Sequence, residues 1–310
     1  MLNNLSRILK VGRCLGSGYF RKIFKLPKFS ENKKTIKQLE REIKIVEIPK
    51  IIWIYWEEEE LPKLVQGFIN KIKKLHIDYD IHVLSKSNIM NYLPEFYCHV
   101  DVPIANKTDL IRLELLYKFG GIWMDATIIL NEKVDWVYTP NLNARYDLVG
   151  FYREVNTIED KYPVIETWFL ASSAGNELIR DWLEVFKPIR DIGSVQYFEM
   201  LKKRDDYEII SARINPPDYL IVYLACQIVL RKDKEYSFYL YRAEDSAFFL
   251  QDYYKWNSNV ISYVLTQLDS RNSNFKIIKL TSGDRNLLKD LEAFKLINKT
   301  SLIGQLLDFE

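Results

Sequence analysis

The chain has 310 residues, of which 48% are hydrophobic, 14% aromatic and 28% charged. This apolar content is enough to build a core and excludes an intrinsically disordered protein. The longest apolar run near the middle of the chain, residues 219–226, is much shorter than the roughly 20 residues that a membrane-spanning helix needs. The first residues also lack the apolar stretch of a secretory signal, so we expect a cytoplasmic protein.

Charge is distributed unevenly along the chain. The formal net charge is +2, yet residues 1–44 hold twelve Lys or Arg and only three Glu. Because apolar side chains are interspersed, this basic segment could lie on an anionic membrane surface; the alternative is a basic helical arm in solvent. Aromatic residues do not alternate with the basic ones as in nucleic-acid-binding modules, so we expect no nucleic acid partner. We predict a basic arm over residues 1–45 and one domain over residues 46–310.

The cysteines and histidines form no recognisable site. The three cysteines lie far apart in sequence, which fits neither a disulfide framework nor a metal centre: Cys14, Cys98 and Cys226. We expect them to be reduced, with at least two in the core. The three histidines match no metal-ligand spacing either: His76, His82 and His99.

After the basic lead segment, the pattern indicates alternating helices and strands. Residues 34–49 predict a helix that ends before Pro49, because the residue before a proline is disfavoured in helical conformation. Residues 50–56 are β-branched and aromatic and predict a buried strand, and residues 61–75 show helical spacing of apolar positions. Residues 79–85 predict a second strand. This β-α-β order favours a parallel sheet with helices on both faces and ligands at the carboxyl ends of the strands.

The next segment carries the most information. Thr108 is a candidate N-cap for a helix over residues 110–119. Gly120 and Gly121 would end that helix and lead into a strand that finishes at Asp125.

The remainder of the chain predicts further elements. Residues 131–165 are polar and turn-rich. The other segments predict, in order, a strand or turn and a helix that opens near residues 173–176, a buried helix over 218–233, a helix over 257–268, a strand over 275–280, a polar loop over 281–285 and a last helix over 286–298.

Three charged residues of the most informative segment could converge. A carboxylate at a strand end, Asp125, can bind a divalent cation or a ribose hydroxyl. The paired side chains of Asp109 and Arg112 can form bidentate hydrogen bonds with sugar hydroxyls. This chemistry suits a nucleotide-sugar. The alternative is that Asp109 only stabilises the helix N-terminus and pairs with Arg112 on the surface, which is worth under about 1 kcal/mol.

Residues 107–130, KTDLIRLELLYKFGGIWMDATIIL, resemble the sugar-binding signature of glycosyltransferase family 32 and of the related bacterial capsular polysaccharide synthesis proteins. The same arrangement is similar to that in clostridial glucosylating toxins. Residues 48–62 resemble the opening strand of the family, and the likeness extends over residues 48–285. It implies a GT-A fold, a Rossmann-like α/β domain, here with a helical N-terminal arm and C-terminal helical additions. It also implies sugar transfer from a nucleotide-sugar with Mn²⁺ or Mg²⁺.

The resemblance assigns roles to individual residues. Trp56 matches the tryptophan that stacks on the nucleotide base; the alternative is an ordinary core aromatic. Asp109 and Arg112 match the pair that contacts the donor sugar and ribose, and Asp125 matches the first acid of the Asp-x-Asp motif. Trp53 lies on the opposite face of the strand from Trp56 and is predicted to pack in the core.

One position departs from the wider pattern. Thr127 stands where the second acid, normally a direct metal ligand, would be, and a hydroxyl is a much weaker ligand for Mg²⁺ or Mn²⁺. Metal dependence is therefore in question. A metal could still be bound through Asp125, Thr127 and Asp245, although Asp245 can also be read as a helix-capping carboxylate.

The loop near the C-terminus can contact a diphosphate. We predict that Lys279, Ser282 and Arg285 lie in a flexible loop after a strand, where their cations and backbone amides could close over a leaving nucleoside diphosphate. The alternative is a plain surface turn. Four further residues could line the acceptor side or stack on a sugar ring, but each can also be core: Trp168, Asp218, Tyr219 and Tyr223.

We therefore predict a glycosyltransferase that adds one sugar from a nucleotide-diphosphate donor, expected to be UDP-linked, to a capsular, exopolysaccharide or lipopolysaccharide glycan. The resemblance implies retention of the anomeric configuration. The acceptor could be lipid-linked, with the basic arm holding the enzyme at the cytoplasmic face of the membrane. Two alternatives remain: a toxin-like enzyme that modifies a protein, and an inactive nucleotide-sugar or glycan-binding protein, which Thr127 motivates.

Overall fold

The computed structural model describes residues 2–29, 34–38, 47–99, 101–139 and 146–307. The strands are β1 Thr35–Gln38, β2 Ile51–Tyr55, β3 Asp80–Leu84, β4 Gly121–Met124, β5 Ile128–Leu130, β6 Leu148–Tyr152, β7 Ile165–Ser172, β8 Phe238–Arg242 and β9 Ile277–Lys279. The α-helices are α1 Leu2–Phe20, α2 Lys63–Leu75, α3 Ile104–Phe119, α4 Glu177–Phe186, α5 Ile189–Lys202, α6 Tyr207–Ile210, α7 Ile221–Leu230, α8 Phe249–Tyr253, α9 Ser258–Gln267, α10 Ser282–Arg285, α11 Leu288–Ala293 and α12 Leu302–Leu307. Short 3₁₀ helices span Ile89–Asn91 and Val134–Val137.

The described strands form a central seven-stranded sheet in the order β1-β8-β6-β7-β4-β2-β3, and β5 pairs with β9 beside it. The β2–β3, β2–β4 and β6–β8 pairs are parallel. The predicted α/β class is confirmed by this sheet and the helices that pack on it. The sheet is mixed rather than wholly parallel, because β7 runs antiparallel to both β4 and β6. An antiparallel return needs no helical crossover, and the described residues between β6 and β7 form none.

Both faces of the sheet are covered by helices. Side chains alternate along β2, so Ile52 and Ile54 join one hydrophobic cluster while Trp53 and Tyr55 join the other. Helices α3, α4 and α7 pack on the Trp53 side, and α2 packs on the opposite side. Trp53 is 1% exposed, which confirms its predicted packing role. The C-terminal helices α9 and α12 add a third cluster that contacts α2.

Helix α1 packs against the rest of the chain through one side. Val11 and Cys14 are buried where α1 contacts α9, and the Arg7 Nε lies 2.6 Å from a carboxylate oxygen of Asp290. Burial of Cys14 and Cys226 confirms that two of the cysteines are core residues. Across the described ranges, every helix is too short or too polar to span a bilayer. The division into an arm over residues 1–45 and a domain over residues 46–310 stays a prediction.

The helix predicted over residues 34–49 is wrong in its first part. Thr35–Gln38 forms edge strand β1, which pairs antiparallel with β8. Ile36 is buried against the core while Lys37 is exposed, so tertiary pairing outweighs the helical propensity of this charged segment. Residues 39–46 lie outside the described residues.

The predicted start of α3 is also wrong. The helix begins at Ile104 after Pro103, and Thr108 lies inside it, where its hydroxyl donates to the Ile104 carbonyl at 2.7 Å. A proline immediately before the first turn is a common helix start, because its missing N–H would have no partner there. Asp109 and Arg112 therefore lie beyond the first turn rather than at the N-terminus.

Three later predictions need correction as well. The turn-rich stretch over residues 131–165 contains β6, whose five residues are all buried. The loop over residues 281–285 forms the one-turn helix α10, which Thr281 and Asp284 cap reciprocally. The last predicted helix ends early, at Ala293, because Lys295 has a φ of 56°, outside the helical range; α12 then follows.

The turn between α3 and β4 depends on a glycine. Gly120 has a φ of 66°, and a Cβ atom there would lie 2.5 Å from the Ala174 backbone nitrogen. We expect Gly120→Ala to lower the free energy of unfolding by about 2–4 kcal/mol, through backbone strain and overpacking together. Gly175→Ala is the matched control, because Gly175 has a φ of 68° and no heavy atom within 4 Å of the added Cβ. Equal losses for both variants in urea denaturation would contradict the steric part of this explanation.

Candidate functional site

The three charged residues predicted to converge do lie together. Asp109 and Arg112 are on the buried side of α3, at 7% and 4% exposed, and Asp125 directly follows β4. Arg112 bridges both acids: one nitrogen donates to Asp109, and the other lies 3.0 Å from Asp125 Oδ1. The guanidinium also stacks over the Trp123 ring, 4.9 Å from its centroid. The alternative of a surface ion pair between Asp109 and Arg112 is wrong.

The second oxygen of Asp125 is held by a lysine from a distant part of the chain. Strands β5 and β9 pair with Ile128 opposite Lys279, which places Lys279 beside the residues that precede β5. Lys279 Nζ donates to Asp125 Oδ2 at 2.8 Å and to Thr127 Oγ1 at 2.7 Å. The Thr127 hydroxyl in turn donates to the Leu280 carbonyl at 3.1 Å. Asp125 therefore lies between two cations.

These contacts explain the shifted pKa values in the site. Burial raises the pKa of Asp125, but the charges of Lys279 and Arg112 outweigh it and lower the pKa to about 2. For Asp109 burial dominates over the charge of Arg112, and the pKa rises to about 6. Burial also lowers the pKa of Lys279, against the effect of Asp125. Burial thus sets the direction of the pKa shift for Asp109 and Lys279, whereas the neighbouring cations set it for Asp125.

These side chains line a cavity of about 680 Å³ at the carboxyl ends of β2 and β4. It contains every residue predicted for the site except Asp245: Trp56, Asp109, Arg112, Asp125, Thr127, Lys279, Ser282 and Arg285. The cavity is within the usual volume range of small-molecule sites, and it combines an aromatic side chain with charges of both signs.

Trp56 lines this cavity. It directly follows β2 and is partly buried against the hydrophobic cluster below it. Its Nε1 is buried and has no hydrogen-bond partner among the described residues. Trp56 thus differs from the fully enclosed Trp53, whose Nε1 donates to the Gly120 carbonyl at 2.8 Å.

The C-terminal loop reaches the same cavity. Arg285 lies on α10, and its Nε donates to the Thr281 carbonyl at 3.3 Å. Burial lowers the pKa of Arg285, against the opposing effect of the Asp125 charge. The alternative of a plain surface turn does not describe this loop, since Lys279, Ser282 and Arg285 all line the cavity.

Asp245 is not brought to Asp125. It lines a different cavity of about 410 Å³, and its Oδ1 accepts a hydrogen bond from Arg242 at 3.2 Å. Asp245 and Asp125 therefore line different cavities, which does not support the prediction that Asp245 completes a metal site with Asp125 and Thr127.

The residues at Asp125 do not fit a divalent metal ion. Within the described ranges, no group of three or more His, Cys, Asp or Glu side chains could hold one. Mg²⁺ and Mn²⁺ prefer several oxygen ligands, usually including more than one carboxylate. Here Asp125 is held by Arg112 and Lys279, and the Lys279 ammonium lies between Asp125 and Thr127.

One acidic residue of the cavity was missed by the sequence analysis. Glu166 is 6% exposed, and its Oε2 accepts a hydrogen bond from the Tyr223 hydroxyl at 2.9 Å. Burial raises its pKa, against the charge of Arg153. Because β7 is antiparallel, its first residues lie at the same edge of the sheet as Asp125. The sequence signal that could have identified Glu166 is an acidic residue at the start of a largely apolar strand.

Three of the four residues suggested for the acceptor side line the cavity. Tyr219 is exposed and lines the cavity, and Tyr223 and Trp168 line it from more buried positions. Asp218 is not among the lining residues. The acceptor role of these side chains stays a prediction.

Comparison with known proteins adds an independent finding. The family model for capsular polysaccharide synthesis proteins matches residues 23–277. O-glycosyltransferase braB of Annulohypoxylon truncatum is 31% identical over 162 residues, which cover 46% of this chain and 38% of that protein. Glycosyltransferase afumC of Aspergillus fumigatus is 28% identical over 163 residues, 45% of this chain and 40% of that protein. The chain thus spans less than half the length of these curated relatives.

Among solved structures, the UDP-bound glycosyltransferase domain from the YGT toxin is similar over 84% of this chain and 93% of that domain, at 9% identity and a TM-score of 0.38. The family match is much more specific, because it covers most of the chain, including α3, the Gly-Gly turn and the end of β4. This chain therefore belongs to the capsular polysaccharide synthesis protein family.

Proposed function

We propose that this chain is a glycosyltransferase that moves a sugar from a nucleotide-diphosphate donor, UDP-linked, to a capsular, exopolysaccharide or lipopolysaccharide glycan. The observation that carries the proposal is the arrangement at the end of β4, where Arg112 joins Asp109 to Asp125 beside Lys279. Family membership and the printed names of the curated relatives support the same reaction class.

The cavity offers a partner for each chemical part of such a donor. The Trp56 ring, which lines the cavity, can stack on a nucleotide base. The pair of Asp109 and Arg112 can accept and donate hydrogen bonds to sugar and ribose hydroxyls. Lys279 and Arg285 can bind the diphosphate, where negative charge grows as the donor bond breaks.

The proposed reaction retains the anomeric configuration. The bond between the anomeric carbon and the phosphate oxygen breaks, and its electron pair leaves with the nucleoside diphosphate. The acceptor hydroxyl oxygen then bonds to the anomeric carbon from the same face, and its proton passes to the departing phosphate. Such a route needs no protein base. Cations beside the phosphate lower the barrier because they stabilise the leaving group.

A transfer assay tests this proposal. The chain is incubated with a panel of nucleotide-sugars and with free or lipid-linked glycan acceptors, and products are followed by mass spectrometry. We expect one donor to be consumed and its sugar to appear on a glycan with the anomeric configuration unchanged by NMR. An inverted anomer would contradict retention and make Glu166 the candidate proton acceptor. Donor binding without transfer or hydrolysis would favour an inactive binding protein.

Membrane association is part of the proposal. The outer side of α1 exposes Leu5, Ile8 and Leu9, at 58%, 53% and 56%, with Lys10 and Arg13 nearby. Apolar side chains flanked by basic ones favour peripheral binding to an anionic bilayer, here at the cytoplasmic face, where a lipid-linked acceptor would lie. We expect the chain to sediment with anionic vesicles and the triple variant Leu5→Ser, Ile8→Ser, Leu9→Ser to remain in the supernatant. Deletion of the helix is a poorer test, because it would uncover the core around Cys14.

The proposal predicts a pH dependence of donor binding. With a pKa of about 6, Asp109 is charged above that pH and neutral below it, where it stops pairing with Arg112. We expect the affinity for a nucleotide-sugar to fall as the pH is lowered through 6. Well below pH 6, the fall should approach about tenfold for each pH unit. A nucleotide-sugar is used because the terminal phosphate of a free nucleoside diphosphate titrates in the same range. An equal pH dependence in Asp109→Asn would contradict the assignment.

A further inference from the structure

The Asp125 carboxylate, the one acid in the motif that could bind a metal ion, is held by a protein cation. Lys279 Nζ lies 2.8 Å from Asp125 Oδ2 and 2.7 Å from Thr127 Oγ1, the two side chains at the first and third positions of the Asp-Ala-Thr motif. On the other side, Arg112 donates to Asp125 Oδ1 at 3.0 Å. The single carboxylate of the motif is thus already neutralised by two cations.

The backbone fixes Lys279 in this position. Strand β9 pairs with β5 immediately after the motif, and the Lys279 backbone N–H donates to the Ala247 carbonyl at 2.9 Å. Its own carbonyl accepts a hydrogen bond from Gln251 Nε2 at 2.8 Å. The Lys279 side chain is only 11% exposed, so its ammonium is presented to the cavity by ordered structure rather than by a free surface chain.

An ammonium between Asp125 and the donor can bind both negatively charged groups, which is the role that a metal ion would have. It has three N–H donors, and the described contacts use two of them, on Asp125 and Thr127. The third can bind a diphosphate oxygen. Arg285 lines the same side of the cavity and supplies a second cation. Thr127 suits this arrangement, because a hydroxyl accepts from an ammonium where a second carboxylate would add an unneeded charge.

We infer that Lys279 replaces the divalent cation of this site, so that the ammonium bridges Asp125 to the donor diphosphate and donor binding needs no metal ion. This inference rests on the proposed function, since it takes a nucleoside diphosphate as the ligand. It goes beyond that function because it assigns the charge that binds the leaving group to the chain itself.

Isothermal titration with UDP, GDP and CDP, each in excess EDTA and in excess Mn²⁺, tests the inference. We expect one nucleotide to bind with the same dissociation constant in both solutions. We expect Lys279→Met to weaken that binding by about 10- to 100-fold, the loss of one charge-assisted contact, and Lys279→Arg to retain part of the affinity. Lys202→Met, at an exposed lysine on α5, is the matched control and should bind like the parent chain.

The outcomes separate the two proposals. Binding that disappears in EDTA and returns with Mn²⁺ would overturn the role of Lys279 and leave the proposed function standing. Nucleotide binding that needs no metal ion and that Lys279→Met leaves unchanged would also overturn the role of Lys279. Failure of every nucleotide and of the matching nucleotide-sugars to bind in either solution would overturn the proposed function. If Lys279→Met does not fold, as judged by circular dichroism, the comparison of EDTA with Mn²⁺ on the parent chain still tests whether nucleotide binding needs a metal ion.

Discussion

Replacing Asp125 by asparagine is expected to lower kcat/KM for sugar transfer by about 10³-fold. The carboxylate is the shared anion of Arg112 and Lys279, and asparagine keeps its size while removing its charge. The two cations would then repel each other in a partly buried site, and Lys279 would lose the contact that aims its ammonium at the donor. Loss of one preorganised electrostatic group in an active site costs 10²- to about 10³-fold, and here two groups are displaced together.

The control for this variant is Asp245→Asn. Asp245 was the other acid that the sequence offered as a metal ligand, but it lies in a separate cavity beside Arg242. We expect its kcat/KM to match that of the parent chain. Comparable losses in both variants would contradict the site described here and would favour a metal centre that uses both acids.

Replacing Arg112 by methionine is expected to lower the free energy of unfolding by about 3–5 kcal/mol and to abolish transfer. Arg112 is 4% exposed and is bonded to Asp109 and Asp125, so its removal leaves two carboxylates without their bridging cation. Methionine fills much of the same volume against Trp123. The loss therefore reports on charge rather than on packing.

The pH dependence of this stability loss identifies its cause. Burial already raises the pKa of Asp109 to about 6, and without Arg112 it rises further. A carboxyl whose folded-state pKa is raised binds more protons in the folded state, so the folded state gains stability as the pH falls. The deficit of Arg112→Met, measured by urea denaturation, should be largest above pH 7 and shrink toward pH 5.

Two further variants test whether the effect of Arg112→Met comes from its buried, two-acid contact. Arg112→Lys retains the charge but cannot donate to both acids in a fork, so we expect partial stability and little activity. Arg204→Met removes an exposed pair with Asp206 and should cost under about 1 kcal/mol. A deficit of the same size for Arg204→Met, or one that does not change with pH, would contradict the role assigned to Arg112.

Local sequence was sufficient for the part of the site that one short segment builds. Asp109, Arg112 and Asp125 lie within 17 consecutive residues, and the Gly-Gly turn returns the chain from α3 into β4. The alternation of side chains along β2 likewise predicted that Trp53 and Trp56 lie on opposite faces and that Trp53 packs in the core. In both cases the signal and the contact lie in the same element or in neighbouring ones.

Contacts between distant segments explain what the sequence did not predict. Lys279 was expected in a flexible loop, and only the pairing of β5 with β9 places its ammonium between Asp125 and Thr127. Glu166 reaches the cavity because β7 is antiparallel, a property of sheet topology that its own residues do not encode. Thr35–Gln38 was predicted as the start of a helix together with the charged residues that follow it, but pairing with β8 makes it a strand.

The most direct test of the central claim, that this cavity holds a nucleotide-sugar, is a thermal-shift panel of nucleotide-sugars on the parent chain and on Asp125→Asn. A donor at 100 times its dissociation constant should raise the free energy of unfolding by about 2.7 kcal/mol. We predict stabilisation by one donor on the parent chain and its loss in Asp125→Asn. No stabilisation by any donor, or equal stabilisation of both proteins, would contradict the claim.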